Sequence, residues 1–349
     1  RDAQLATTNS DETGELWAAT AAGVLNGGDD GEKWTEINAG LNIHSIKDLV
    51  AVGGRVLAAA PAGIFRTTNE GMSWEQTFAT PVMQIVAEGN VVLALHENYG
   101  TPGLSRSTDG GVTWSRATTN LPEPLLDLTG IAAANGVFYL SSGMGGSAGV
   151  WRSTDWCATW QRASAGLPAN DDQTLIPINA IAAHGATVIA VTPSSAYWST
   201  DAGASWNPSD LQIDGMSYRP VVAAAAGQFY IGNVDTLYSS ADNGKTWEVE
   251  PILMGGESAI LDIVPVGQAA IVISEFFVGL GGHPTAGMMW HEGGWSTFTD
   301  RLPEKTWLMS IASAGNQLFV GTWGSGVMRA TTADILGQTS GVPQASTNV

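Results

Sequence analysis

Carboxylates are the side chains of this sequence most able to do chemistry. Asp48, Asp127 and Asp262 lie on or beside short apolar runs, while Glu97, Asp172, Asp214, Glu275 and Glu304 fall in the irregular segments between such runs. Two carboxyl groups about 5–10 Å apart suffice for acid/base cleavage of a glycosidic bond. Tyr99, Tyr218, Phe276, Phe277, Trp307 and Trp323 belong to the same segments. Exposed rings stack on sugar faces, and neighbouring acids or amides bond the hydroxyls. The competing readings are plain: the acids solvate a surface or tie down loops, and Trp307 and Trp323 fill a core. His283 and His291 with Met288 and Met289 have the softness of a transition-metal site but no regular ligand spacing. His44 and His96 could meet, on weaker grounds still. No phosphate loop, Ser-His-Asp spacing or dinucleotide fingerprint is present, so no catalytic residue, metal or cofactor is assigned.

These residues need elements to hold them, and composition bounds what those elements are. Of 349 residues 43 are Gly, apolar residues make up 44% and charged ones only 13%, which describes a folded core rather than a disordered chain. Basic residues number 14 and acidic ones 33, so the formal charge is 14 − 33 = −19. That field repels polyanions, and nucleic acid is excluded as a partner. No apolar run is long enough to span a membrane. The single Cys157 can form neither an internal disulfide nor a zinc site. The sequence starts at Arg1 and holds only four lysines, 33, 47, 245 and 305. Those features predict an exported protein, extracellular or periplasmic.

A repeat decides the architecture. Octets ending in Trp recur along the chain: Gly27-Gly28-Asp29-Asp30-Gly31-Glu32-Lys33-Trp34 is the first, and Thr67-Thr68-Asn69-Glu70-Gly71-Met72-Ser73-Trp74 the second. Ser107-Thr108-Asp109-Gly110-Gly111-Val112-Thr113-Trp114 is the cleanest copy. Further copies are built on Asp155 and Trp160, Asp201 and Trp206, and Asp242 and Trp247, with a shortened one ending at Trp295. Successive Trp spacings are 40, 40, 46, 46, 41 and 48 residues. Within an octet the carboxylate can accept backbone N–H bonds across a tight turn, Gly supplies positive φ, and Ser or Thr adds side-chain bonds to the backbone. The Trp is left to pack between neighbouring sheets. Asp29, Asp109, Asp155, Asp201, Asp242 and Trp114 are therefore structural.

These octets resemble the Asp-box of the BNR repeat family, which occurs in sialidases, two-domain xyloglucanases, sortilin-type receptors and photosystem II assembly factors. The resemblance covers nearly the whole chain and implies a β-propeller; those families share the box and little else, so it implies no single activity. Around each box the sequence reads as the same four short strands, for example 45–52, 55–60, 63–67 and 73–77. An all-β propeller of four-stranded antiparallel blades follows. Strand arithmetic favours eight blades over seven, in one domain over residues 1–332 with a polar tail over 333–349. With the first strand of each blade innermost, the boxes crowd one rim, and the irregular loops, including 96–103, 141–149 and 276–287, crowd the other.

Sialidase chemistry would need three Arg to clamp a carboxylate, a Tyr nucleophile and an early F/Y-R-I-P string. Tyr218-Arg219-Pro220 lacks the Ile and comes late, and Arg66, Arg106, Arg152 and Arg329 recur at one repeat position, as structural partners of neighbouring carboxylates would. The nearest single-propeller resemblance is to the photosystem II stability/assembly-factor type, which implies a partner bound through an Arg-lined patch; this chain has few loop Arg. The reading that emerges is a non-enzymatic scaffold binding a protein or glycan through its loop-bearing rim. His96, Glu97, Tyr99, Asp127, Tyr218, Arg219, Glu275, Phe276, Trp307 and Trp323 are the candidate contacts. The alternative is a secreted glycoside hydrolase or polysaccharide lyase using rim carboxylates. An enzyme would bring two or three carboxylates together with at least one raised pKa.

Overall fold

A computed structural model describes residues 48–250 apart from 54, 70–72, 99–100, 124, 126, 144–147, 171–174, 214–219, 226–227 and 234–235. Outside that stretch it describes the strands named below, as backbone together with the side chains of Ile260, Ile263 and Val272. The first sheet holds β1 (Leu5–Thr7), β2 (Leu16–Thr20), β3 (Gly23–Asn26) and β4 (Thr35–Glu36). The second holds β5 (Asp48–Val52), β6 (Arg55–Ala60), β7 (Gly63–Thr67) and β8 (Glu75–Phe78). In the third are β9 (Val82–Glu88), β10 (Val91–Asn98), β11 (Thr101–Ser107) and β12 (Ser115–Arg116). The fourth comprises β13 (Leu128–Ala134), β14 (Val137–Ser142), β15 (Gly149–Ser153) and β16 (Gln161–Arg162). β17 (Ala180–His184), β18 (Thr187–Val191), β19 (Ala196–Ser199) and β20 (Asn207–Pro208) make the fifth. The sixth has β21 (Val221–Ala225), β22 (Gln228–Gly232), β23 (Leu237–Ser240) and β24 (Glu248–Val249). The seventh has β25 (Ser258–Val266), β26 (Ala269–Phe276), β27 (Thr285–His291) and β28 (Gly294–Thr297), and the eighth β29 (Trp307–Ala314), β30 (Gln317–Trp323) and β31 (Gly326–Thr331).

Strands pair antiparallel in chain order within every sheet. The first strand of each sheet lies beside the first strand of the next, from β1 through β5, β9, β13, β17, β21 and β25 to β29, and β29 returns to β1. The described strands thus close into a ring of sheets, a β-propeller. Second strands carry the deepest burial. Leu57 to Ala60 and Val188 to Val191 are all 0% exposed, because each blade is covered on both faces by its neighbours. A strand buried on both faces reads as a continuous apolar run without alternation. The core accordingly sits between blades rather than within them. Leu57 and Ile64 pack with Ile85 and Val92 of the next blade, Leu93 and Leu104 with Phe138 and Trp160, and Tyr139 and Val150 with Ile181 and Trp206.

The octets are the staples of these interfaces. Asp109 Oδ1 accepts the N–H of Val112 (3.0 Å) and of Thr113 (2.9 Å), and its Oδ2 accepts the Thr113 hydroxyl at 2.6 Å. Ser107 Oγ donates to Asp109 and accepts the Gly111 N–H, both at 2.7 Å. The turns at Asp155, Asp201 and Asp242 repeat this pattern. At Asn69 the amide keeps the Ser73 N–H bond but donates to the Ser73 hydroxyl instead of accepting from it. In the third, fourth and fifth blades the Trp then reaches back one blade, whereas in the sixth the Trp247 indole N–H donates to the Gly244 carbonyl of its own turn at 3.0 Å. The Trp160 indole N–H donates to the Ala117 carbonyl (2.7 Å) and that of Trp206 to the Ala163 carbonyl (2.6 Å), while Trp114 uses the Thr77 hydroxyl at 3.2 Å.

Two sequence expectations need correction here. Positive φ was expected of a single glycine, but two consecutive octet residues adopt it: Gly110 and Gly111, Trp156 and Cys157, Ala202 and Gly203, Asn243 and Gly244. The recurring arginines were expected to pair with carboxylates. Arg66 does, with Glu75 at 2.5 Å, but Arg106 donates to the Trp156 carbonyl (2.7 Å) and Arg152 to the Ala202 carbonyl (2.8 Å), each in the next blade's turn. A turn whose peptides are fixed by the carboxylate presents that carbonyl outward, and a guanidinium of the preceding third strand is the donor within reach.

Candidate functional site

In each blade the start of the first strand and the end of the second lie at the loop-bearing rim, opposite the octet turns, as antiparallel order requires. Residues 96–103 were expected as a long loop. Of these, 96–98 and 101–103 are instead the end of a hairpin in which His96 pairs with Gly103, Glu97 with Pro102 and Asn98 with Thr101. Extended pairing satisfies the backbone that a loop would leave to water. The His96 ring lies over Gly103, where an added Cβ would come within 2.4 Å of Cε1, so a larger residue there would displace the ring. His96 Nε2 meets Ser105 Oγ at 3.0 Å, and the ring is tilted against Phe78 at 5.2 Å, which in turn contacts Trp114 at 5.5 Å. Burial pushes the imidazole pKa down, so the ring is neutral. Its Nδ1 is buried without a partner. A Ser–His pair needs a group on that nitrogen to orient the base, and this one is a packing contact instead.

Glu97 is exposed, and its backbone N–H donates to the Pro81 carbonyl at 3.1 Å. Asp127 is half-buried with φ of +48°. Its carbonyl accepts the Gly143 N–H at 2.9 Å, and its carboxylate stands 2.4 Å from where a Gly143 Cβ would be. Asp48 stands at the head of the second sheet's first strand. It is buried at the inner strand, and its Oδ2 accepts the Ile85 N–H of the next blade at 2.8 Å. Gln84 does the same one blade on, with Oε1 accepting the Ile131 N–H at 3.1 Å. Inner strands of neighbouring blades are not paired with one another, and these side chains satisfy amides that would otherwise face a gap.

Of the other candidates, Tyr99, Tyr218 and Arg219 lie outside the described residues, as do Asp29, Asp172, Asp214, Glu304 and the tail after 332. Glu275, Phe276, Trp307 and Trp323 have described backbone. Glu275 stands between Ala259 and Thr285, Phe276 opposite Ser258, and Trp307 directly opposite Trp323. All four register positions are at the loop-bearing rim. The rim candidates therefore fall into two groups. His96, Glu97 and Asp127 belong to the third and fourth sheets, Glu275 to Trp323 to the seventh and eighth, three or four sheets away around the ring. Glu97 and Asp127 are on neighbouring blades, and Glu275 is on the far side from both.

Box carboxylates are spent. Burial alone would raise the Asp155 carboxyl, but bonds from the Thr159 hydroxyl and N–H and the Ser153 hydroxyl outweigh it and hold the pKa at about 2. The Ser205 and Ser199 hydroxyls bring Asp201 to about 2 as well. Among the described residues, no group of three or more His, Cys, Asp or Glu is gathered to hold a metal. An open groove of about 330 Å³ runs along the outer part of the sixth blade, lined by Gln228, Ser239, Asp242, Thr246, Glu248 and Glu250. Sequence reasoning passed over one residue altogether. Trp156 is 46% exposed at the fourth octet position, where sister turns carry Gly110, Ala202 and Asn243, and that departure was the available signal.

No family model matches the chain. Over 244 residues it is 25% identical to the xyloglucanase Xgh74A of Acetivibrio thermocellus, covering 54% of this chain and 29% of that one. The chain thus spans under a third of the length of the curated relatives it matches. Among solved structures it is similar to the GH74 xyloglucanase of Xanthomonas campestris, with 16% identity, a TM-score of 0.57 and coverage of 82% of this chain and 52% of the other. YCF48 bound to D1 peptide matches with 17% identity, a TM-score of 0.54 and coverage of 79% and 88%. At such identities the likeness speaks to fold. Among the described residues, no helix is long and apolar enough to cross a membrane. Ring, stapling turns and neighbours agree that the chain is a β-propeller, consistent with the BNR-like family.

Proposed function

We propose that this chain is an exported, non-enzymatic β-propeller that binds a protein or glycan partner through its loop-bearing rim, in a scaffolding or assembly role. One observation carries the reading. Asp48, the described candidate acid on an inner strand, is committed to the frame through the Ile85 amide of the next blade. A general acid needs a raised pKa, whereas hydrogen bonds to the charged form lower it. The net charge of −19 adds attraction for positively charged surfaces. The neighbours support a peptide or a glycan as ligand, one being solved with D1 peptide and others being xyloglucanases.

The similarity to Xgh74A favours a second reading, a secreted glycoside hydrolase or polysaccharide lyase using rim carboxylates such as Glu97 or Glu275. A glycan array read alongside reducing-end release separates the two. Binding without release supports the scaffold, and turnover of any polymer contradicts it. Glu97→Gln and Glu275→Gln would then abolish that turnover if the rim acids were responsible.

A further inference from the structure

We infer that the rim bearing the octet turns holds a second binding site, centred on Trp156 and Glu88, for a lysine or arginine side chain of a protein partner. Trp156 stands where the backbone is left-handed, φ +60°, and Cys157 after it has φ +61°. Bulky residues rarely adopt that conformation, and such outliers collect at functional sites. The indole is nonetheless held in a fixed pose. Its Cη2 lies 3.6 Å from where a Gly136 Cβ would be, and its ring meets buried Phe138 edge-on at 6.5 Å. Arg106 fastens its carbonyl from the preceding blade. Nearly half of the residue still faces solvent.

Glu88 of the preceding blade converges on the same point, its Oε1 accepting the Gly136 N–H at 3.2 Å. An indole face beside a carboxylate attracts a cation twice, through the ring quadrupole and through charge. Asp155 next to Trp156 and Asp109 in the adjoining turn add ionised carboxylates to this rim, where Arg106 and Arg55 bring guanidinium groups, the latter with Nη1 2.9 Å from where a Gly110 Cβ would be. Val112 of that turn, also 46% exposed, supplies apolar surface for the stem of a long cationic side chain. This site stands apart from the loop-bearing rim, so either one can fail without the other.

The test uses the full chain and an acetylated, amidated tri-arginine peptide, titrated calorimetrically at low and moderate salt. Trp156→Gly is the informative variant, because glycine suits φ +60° and the variant folds. It should bind the peptide about fivefold to tenfold more weakly than the parent. Glu88→Gln keeps the acceptor for Gly136 and should weaken binding about twofold to fivefold, with a shallower salt dependence. Equal affinity in the parent and Trp156→Gly would overturn the inference and leave only attraction to a polyanionic protein. A neutral β-glucan oligosaccharide that binds the parent and is lost in Trp156→Gly, with the peptide unaffected, would overturn the cation assignment in favour of a sugar.

Discussion

The third and fourth blades carry the same turn built from opposite materials. In the third, Gly110 and Gly111 take φ of +70° and +84°; in the fourth, Trp156 and Cys157 take +60° and +61°. The bonds are nevertheless alike, with Asp109 and Asp155 each accepting the N–H four residues on at 2.9 Å and a threonine hydroxyl at 2.6 Å. Glycine therefore eases this turn but does not create it; the carboxylate and the Ser hydroxyl do. Left-handed backbone costs a non-glycine residue about 1–2 kcal/mol, so the fourth turn spends part of its hydrogen bonding on holding Trp156 out and Cys157 in. Cys157 is fully buried at the position where its sisters have glycine, and burial pushes its thiol pKa far up, so it is packing rather than a reactive group.

That comparison can be tested by taking the turns apart. Trp160→Ala should cost the most, about 3–5 kcal/mol in denaturant unfolding, because it removes a 2% exposed ring and its indole bond to the preceding blade. A loss under about 1 kcal/mol would mean that the tryptophans do not hold the blades. Next comes Asp109→Ala, at about 1–3 kcal/mol for turn amides left unsatisfied. Asp155→Ala should cost no more than this and up to about 1–2 kcal/mol less, since a released turn relieves the left-handed backbone of Trp156 and Cys157. Equal losses would show that the two turns are equally strained.

Acid should act through the same groups. Asp155 and Asp201 have folded pKa values of about 2, below the ordinary 3.8, so their contribution is whole above pH 4 and is lost as pH falls toward 2. Melting temperature should decline across that window, less in a variant with Asp201→Asn. The smallest change is Asn69→Asp. Because Asn69 already holds the Ser73 amide, stability at neutral pH should move by about 0.5 kcal/mol or less, while new acid sensitivity appears between pH 4 and 2.

The ring was legible because its parts are residue-specific. A carboxylate that caps a turn and a tryptophan that spans two blades leave a spacing no other fold requires. Interface chemistry was less legible. Nothing in the sequence distinguishes Asp48 facing a channel from Asp48 bonded to Ile85, since both put an acid at the head of an apolar strand. Arg106 showed its period but not its partner, which is a carbonyl and has no side-chain signature. His96 and Glu97 read as loop because polar residues follow Leu95, yet pairing with Gly103 and Pro102 extends the hairpin past them. Trp156 was overlooked because octet positions were read for what they share, and its meaning lies in what it does not share.

Hydrogen exchange at the tryptophan indoles reaches the central claim most directly. If the octet tryptophans staple blade to blade, the Nε1 protons of Trp160 and Trp206, bonded to Ala117 and Ala163, should exchange only as fast as the whole ring unfolds, and Asp155→Ala should speed both through lost global stability. Exchange of either proton much faster than global unfolding would mean that blades open singly, and the stapled ring would be the wrong description.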